Sequence, residues 1–208
     1  MSKYPTLYLA TGNHHKVEEI KRFFKQQAIH WEVYSADKIG GMPDVVEDAH
    51  TFSGNALLKA TALREQAVGK QAWVLADDSG IEVDALNGAP GIFSARYAGI
   101  HCNDDENNQK LMQELQGVPP EQRTARYICA LALIHTHGET PIIFEQVCRG
   151  SLGTTPVGRN GFGYDPYFYP EGSSMTFGQL DTRVKDQISH RAKALKALIE
   201  WGKRHTLV

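Results

Sequence analysis

Two periods of apolar residues organise the chain. Leu7-Tyr8-Leu9-Ala10 is a short apolar run, and beyond Thr11-Gly12-Asn13 the apolar positions Val17, Ile20, Phe23 and Phe24 recur at helical spacing. That pattern predicts a strand, a polar turn and a helix. Trp31 to Tyr34 reads as a second strand, followed by a loop carrying Gly40, Gly41 and Pro43. Helix formers dominate Thr51 to Val68, with Thr51 placed to cap the helix. Ala72 to Ala76 is apolar and ends in Asp77-Asp78-Ser79-Gly80, after which Ile81-Glu82-Val83 alternates as another short strand. The acidic pair is therefore expected at a strand end.

Asn103 with Glu106 forms a capping pair ahead of a helix that Gly117 and Pro119-Pro120 stop. Two long strands follow, over Ala125 to Thr136 and Pro141 to Leu152, joined by His137-Gly138-Glu139-Thr140 as a hairpin. After a glycine-rich loop from Gly153 to Gly163, one cationic helix closes the chain over Thr182 to Lys203. Helices and strands interleave while the hairpin is antiparallel, so the expected fold class is α/β with a mixed sheet flanked by helices. No repeat, low-complexity tract or linker divides the sequence, which predicts a single domain over residues 1–208.

Composition narrows the function classes. A hydrophobic content of 41% over 208 residues excludes disorder and a collagen-like chain. Lys plus Arg (22) nearly balances Asp plus Glu (24), giving a net charge of -2 that argues against a duplex-coating protein. No uncharged run reaches the roughly 18 residues of a membrane helix, and the N-terminus shows no signal-peptide pattern, so a cytoplasmic chain without a membrane partner is expected. Cys102, Cys129 and Cys148 are odd in number and widely spaced, which fits neither a disulfide framework nor a metal knuckle. They read as reduced bystanders.

Four constellations carry candidate chemistry, and each also has a plain structural explanation. Thr11-Gly12-Asn13-His14-His15-Lys16 lies between strand and helix, where free N–H groups, the helix dipole and a lysine suit a polyphosphate; a capped turn with a surface lysine is the alternative. Glu47, Asp48, Asp77 and Asp78 offer carboxylates from two segments to a hard divalent cation, and one of them can take a proton from water. Taken alone, Glu47 and Asp48 are better explained as a solvated helix entry, whereas an acid pair against an apolar strand is harder to dismiss. Asn55 and Lys59, four apart, are read either as part of that site or as a surface pair. In the third, Gly158 to Pro166, the glycines allow close approach, Phe162 or Tyr164 can stack on a heterocycle, and Asp165 can accept from a base or ribose. The fourth is Lys185 with Ser189-His190-Arg191, cationic donors for keto oxygens or phosphates, or else a solvated helix face.

In their order, six blocks resemble the inosine triphosphate pyrophosphatase family, the Ham1-like non-canonical purine NTP pyrophosphatases. They are Thr11-x-Asn13-x-x-Lys16, Glu47 to Ala56, Ala76 to Gly80, Gly88 to Tyr97, Phe162 to Pro166 and Ser189-His190-Arg191. The resemblance spans nearly the whole chain and implies an elongated mixed sheet with two lobes around a central cleft, a homodimer, Mg²⁺ dependence and hydrolysis of ITP, dITP and XTP to the monophosphate and pyrophosphate. It further implies that Thr11, Gly12, Asn13, His14, His15 and Lys16 hold phosphates, that Glu47 and Asp78 serve the metal, and that Asp78 is the general base. Ser79 would contact substrate, and Phe162, Gly163, Tyr164, Asp165, Lys185, His190 and Arg191 would surround the base. The chain departs from the family pattern with Ala49 in place of Gly, Gly178-Gln179 in place of Ala-Glu, and Asp186 in place of Asn. A non-hydrolysing purine-nucleotide-binding module is the alternative reading, opposed by the intact acidic set. A nucleic-acid-binding protein ranks last because of the near-neutral charge.

Overall fold

The structure, a computed structural model, describes residues 4–100, 103–138 and 140–207. Its strands are β1 (Thr6–Ala10), β2 (Glu32–Ser35), β3 (Trp73–Val83), β4 (Thr124–His135), β5 (Ile142–Leu152) and β6 (Phe168–Pro170). Its α-helices are α1 (His14–Gln26), α2 (Phe52–Gln66), α3 (Asp104–Glu114), α4 (Thr182–Ile188) and α5 (His190–Arg204). The strands form one sheet in the order β2-β1-β3-β4-β5-β6. β1 pairs in parallel with β2 and β3, whereas β5 and β6 are antiparallel, so the sheet is mixed as expected. Glu139 of the expected hairpin segment lies outside the described residues.

Contacts divide the chain into two compact units. The first comprises Met1–Asp78, Cys129–Glu145 and Ala194–Val208. In it Leu9 stands opposite Ser35 on one side and Leu75 on the other, and Leu7 and Leu9 are fully buried. A parallel strand covered on both faces needs no polar alternation, which explains the unbroken apolar run. α1 buries Val17, Ile20, Phe23 and Phe24, the four positions whose spacing predicts it. The core continues through Trp73, edge-on to Trp201 with ring centroids 5.8 Å apart.

The second unit comprises Ser79–Ile128 and Gln146–Lys193. Ile81, Val83, Leu111, Tyr127, Leu152, Phe168 and Phe177 meet in its core. α3 begins at the predicted capping box: Asn103 Oδ1 accepts from Glu106 N at 3.0 Å, and Glu106 Oε2 accepts from Asn103 N at 2.8 Å. β6 is not predicted from sequence because it is three residues long and contains Pro170; as the last strand of the sheet it can hold a proline.

The structure corrects two sequence expectations. Asp77 and Asp78 lie inside an unbroken 11-residue strand rather than at the end of one. Each carboxylate meets a lysine where it is buried, which removes the isolated-charge penalty that makes a strand end look necessary. The single closing helix is two, because Ser189 is extended (φ -66°, ψ 158°) and its Oγ accepts from Ala192 N at 3.2 Å. A serine competes with the helical backbone in this way, and it caps the helix that follows.

Cys129 and Cys148 are buried thiols outside any disulfide among the described residues, and Cys102 lies outside the described residues. Burial pushes the Cys148 thiol up to about 11, against an opposing pull from Lys193. Only the thiolate is nucleophilic, so iodoacetamide at neutral pH should alkylate Cys148 about 10²-fold more slowly in the folded protein than in denaturant. Peptide mass spectrometry over time reads both rates, and similar rates would contradict the burial. No helix among the described residues is long and apolar enough to cross a membrane.

Candidate active site

In the first unit the turn between β1 and α1 is self-satisfied. Asn13 Oδ1 accepts from the N–H groups of His15 at 2.9 Å and Lys16 at 3.3 Å, while Thr11 Oγ1 accepts from Asn13 N at 3.1 Å. Two first-turn donors that suit an anion are thus occupied by the helix cap. Gly12, His14 and His15 are exposed. Lys16 turns inward instead, its Nζ 2.6 Å from Asp77 Oδ1 and 3.3 Å from the Asp77 carbonyl oxygen. Cys129 Sγ lies 3.4 Å from the other Asp77 oxygen.

A second lysine organises the other acids. Lys59 Nζ lies 2.6 Å from Asp78 Oδ1 and 3.2 Å from Glu47 Oε2. Asp48 is exposed and stays outside this network. One turn before Lys59 on α2, Asn55 Oδ1 accepts from Ala49 N at 3.1 Å, tying the Glu47-bearing loop to the helix. Thr51 caps α2 by accepting from Gly54 N at 3.0 Å. Loop and helix start meet so closely that a Cβ at Gly54 would come within 2.6 Å of Ala49 Cβ. Asn55 and Lys59 are therefore buried members of the acidic network and not a surface pair.

Asp78 Oδ2 is buried with no hydrogen-bond partner among the described residues. Burial pushes the Asp78 carboxyl above the ordinary aspartate range, against the pull of Lys59 and Lys16. Burial also opposes the Lys59 charge, but the attraction of Asp78 and Glu47 outweighs it and the ammonium is held above the usual lysine value. The result is a carboxylate of raised basicity with one oxygen uncommitted. No group of three or more His, Cys, Asp or Glu residues among the described residues converges on a metal position. A magnesium-like ion asks for less: one or two carboxylates, with water and phosphate completing its octahedron. Asp78 Oδ2 and Glu47 fit that demand.

The second unit gathers the late motifs. Asp165 Oδ2 accepts from Phe162 N at 2.9 Å and from Lys185 Nζ at 2.6 Å, and Asp165 Oδ1 faces the Tyr127 hydroxyl at 3.4 Å. Asp165 thereby locks the glycine-rich loop. Burial, with Asp165 next, pushes the Tyr127 hydroxyl well above the tyrosine range, and its ring stacks on His190 at 4.6 Å. The Phe162 ring carries two cations, Lys185 Nζ at 5.2 Å and Arg191 Cζ at 5.7 Å from its centroid. Arg191 Nη2 also donates to Ser79 Oγ at 2.9 Å. Tyr164 belongs to the core, its hydroxyl donating to the Ser94 carbonyl at 2.8 Å, so of the two loop aromatics Phe162 is the accessible one.

Two residues beyond the sequence motifs hold this loop. Gly163 N donates to Asp104 Oδ2 at 2.6 Å, and Gly163 O accepts from Asn108 Nδ2 at 3.0 Å. Their four-residue spacing on α3 is visible in the sequence, but nothing there tells which distant loop returns to them.

In this α/β protein the first unit thus gathers buried lysine–carboxylate pairs, and the second an aromatic ring beside two cations on a clamped loop. The Ham1 family model matches residues 7–201, and the chain belongs to the Ham1 family. It is 46% identical over 202 residues to the dITP/XTP pyrophosphatase of Opitutus terrae, covering 95% of this chain and 98% of that relative. With the dITP/XTP pyrophosphatase of Rhodopirellula baltica it shares 44% over 199 residues, covering 96% of this chain and 93% of that one. The Staphylococcus aureus Ham1 structure superimposes with a TM-score of 0.83 at 36% identity, covering 96% of this chain and 99% of that one.

Proposed function

We propose that the chain hydrolyses non-canonical purine nucleoside triphosphates, namely dITP, ITP and XTP, to the monophosphate and pyrophosphate. The observation that carries this reading is the uncommitted, buried Asp78 Oδ2 beside Glu47, held in place by Lys59. Glu47 and Asp78 would hold Mg²⁺. When bound, that ion supplies charge neutralisation on the phosphate oxygens and orients them for attack.

Asp78 takes the proton of the attacking water as a bond forms to the α-phosphorus and the bond to the pyrophosphate oxygen breaks. Lys59 keeps the Asp78 carboxylate oriented through Oδ1. Lys16 exchanges its bond to Asp77 for the triphosphate, and the Thr11-to-His15 turn adds polar contacts at its edge. Arg191 and Ser79 hold one another beside the ring, Phe162 stacks on the base, and Lys185 and His190 supply cationic or polarised donors for its keto oxygens. Tyr164, Gly163 and Asp165 shape the loop that presents Phe162. We also propose that residues 1–208 act as a single domain, that the protein is a cytoplasmic homodimer, and that it binds free nucleotides with neither nucleic-acid nor membrane partners. Light scattering on the purified chain tests the dimer.

Purified protein with Mg²⁺ should release pyrophosphate, not orthophosphate, from dITP and XTP, and should stop when the metal is chelated. Orthophosphate as the product would mean that a different bond is cut, and tight binding without turnover would favour the binding module. Lys16→Ala should raise KM for dITP by about tenfold or more while barely changing affinity for IMP, because the lost cation faces the distal phosphates. Calorimetry on both ligands decides it, and equal losses would move Lys16 away from those phosphates.

A further inference from the structure

We propose that Asp104 and Asn108 of α3 are positioning residues for base selectivity, acting as a clamp on the Gly163 peptide. This rests on the reading that the loop from Phe162 to Asp165 receives the base. The clamp grips both polar ends of one residue: Asp104 Oδ2 takes the Gly163 N–H at 2.6 Å, and Asn108 Nδ2 donates to the Gly163 carbonyl at 3.0 Å. Gly163 has a φ of +62°, a left-handed conformation that its own backbone does not enforce. On its N-terminal side, Phe162 N is bonded to Asp165 Oδ2 at 2.9 Å. The ring of Phe162 is therefore carried on a peptide fixed from α3 on one side and by Asp165 on the other.

Asn108 also carries a sign of its purpose. It is 7% exposed, and its Oδ1 is buried with no hydrogen-bond partner among the described residues. Chosen only to fill the core, an apolar side chain would avoid that unsatisfied acceptor; the asparagine is explained by the donor it gives Gly163. The acceptor at Asp104 is a carboxylate, and charge-assisted hydrogen bonds from a backbone N–H are short and strong. A ring held this firmly discriminates between keto and amino purines because it cannot shift to relieve a mismatch between donors.

The test uses wild type, Asp104→Ala, Asp104→Asn and Asn108→Ala. Asp104 is exposed, so its variants should fold and melt within about 4 °C of wild type. For each, kcat/KM is measured on dITP and dATP, together with equilibrium affinities for IMP and AMP, which report base preference even without turnover. Asp104→Ala and Asn108→Ala should each compress the inosine-to-adenosine ratio by about fivefold in both measurements, whereas Asp104→Asn, which keeps an acceptor, should stay within about twofold. Equal losses on both bases, or equal effects of Asp104→Ala and Asp104→Asn, would overturn the clamp. A wild type that prefers IMP yet releases no pyrophosphate would refute the proposed hydrolysis, while the affinity ratios would still decide the clamp.

Discussion

Replacing Asp78 by asparagine is expected to lower turnover on dITP by about 10² to 10⁴, the usual contribution of a general base, while nucleotide affinity changes by no more than a few fold. The amide keeps the shape of the side chain and an oxygen toward Lys59, which lies 2.6 Å from Asp78 Oδ1. It cannot take a proton at neutral pH, and it is a poorer ligand for a hard cation. In the wild type, burial raises the Asp78 carboxyl despite Lys59 and Lys16, so this carboxylate holds a proton more readily than an ordinary aspartate. Steady-state rates with titrated Mg²⁺ separate the two losses. Restoration by excess metal would make Asp78 a ligand only, and a loss below about tenfold would remove it from the chemistry.

The second large effect concerns stability. Asp165→Ala removes the carboxylate that faces the Lys185 ammonium at 2.6 Å and accepts from Phe162 N at 2.9 Å, in a place where Asp165 is 2% exposed and Lys185 6%. Taking one partner from a buried ion pair costs about 3–5 kcal/mol, because the other charge stays desolvated without that counter-charge. For a chain of this size the melting temperature should fall by about 10 °C. Removing both charges together, as Asp165→Ala with Lys185→Met, should recover part of the loss, since an apolar replacement no longer carries a buried ammonium. Thermal melts of the two variants decide it: a drop below about 3 °C for the single variant, or a double variant less stable than the single one, would show that the pair does not hold this loop.

Much of the fold is legible in the sequence because local periods and tertiary burial agree. Val17, Ile20, Phe23 and Phe24 mark α1, Thr51 marks the start of α2, and Asn103 with Glu106 marks the start of α3. Legibility fails where a distant partner reverses the local cost. Asp77 and Asp78 look like a strand end until Lys16 and Lys59 supply counter-charges from other segments. Lys59 leaves two readings open, site member or surface pair, since nothing local announces that its ammonium is buried against two acids. The break at Ser189 leaves a clearer trace: a serine ahead of His190 and Arg191 is a helix cap, and it puts a guanidinium at the end of α5 where the dipole disfavours it. Asp104 and Asn108 carry no comparable signal, because the glycine they hold lies more than fifty residues away, 59 and 55 respectively.

Between the loop at Ala49 and the start of α2 there is room for one methyl group, and this chain places it on the loop, opposite Gly54. A side chain at 54 would bring its Cβ within 2.6 Å of Ala49 Cβ and 3.0 Å of Thr51 Oγ1, so the loop would have to retreat. Retreat would pull Ala49 N away from Asn55 and carry Glu47 with it. The Ala49 methyl thus fixes glycine at position 54, and Gly54 in turn lets the Glu47-bearing loop lie against the start of α2.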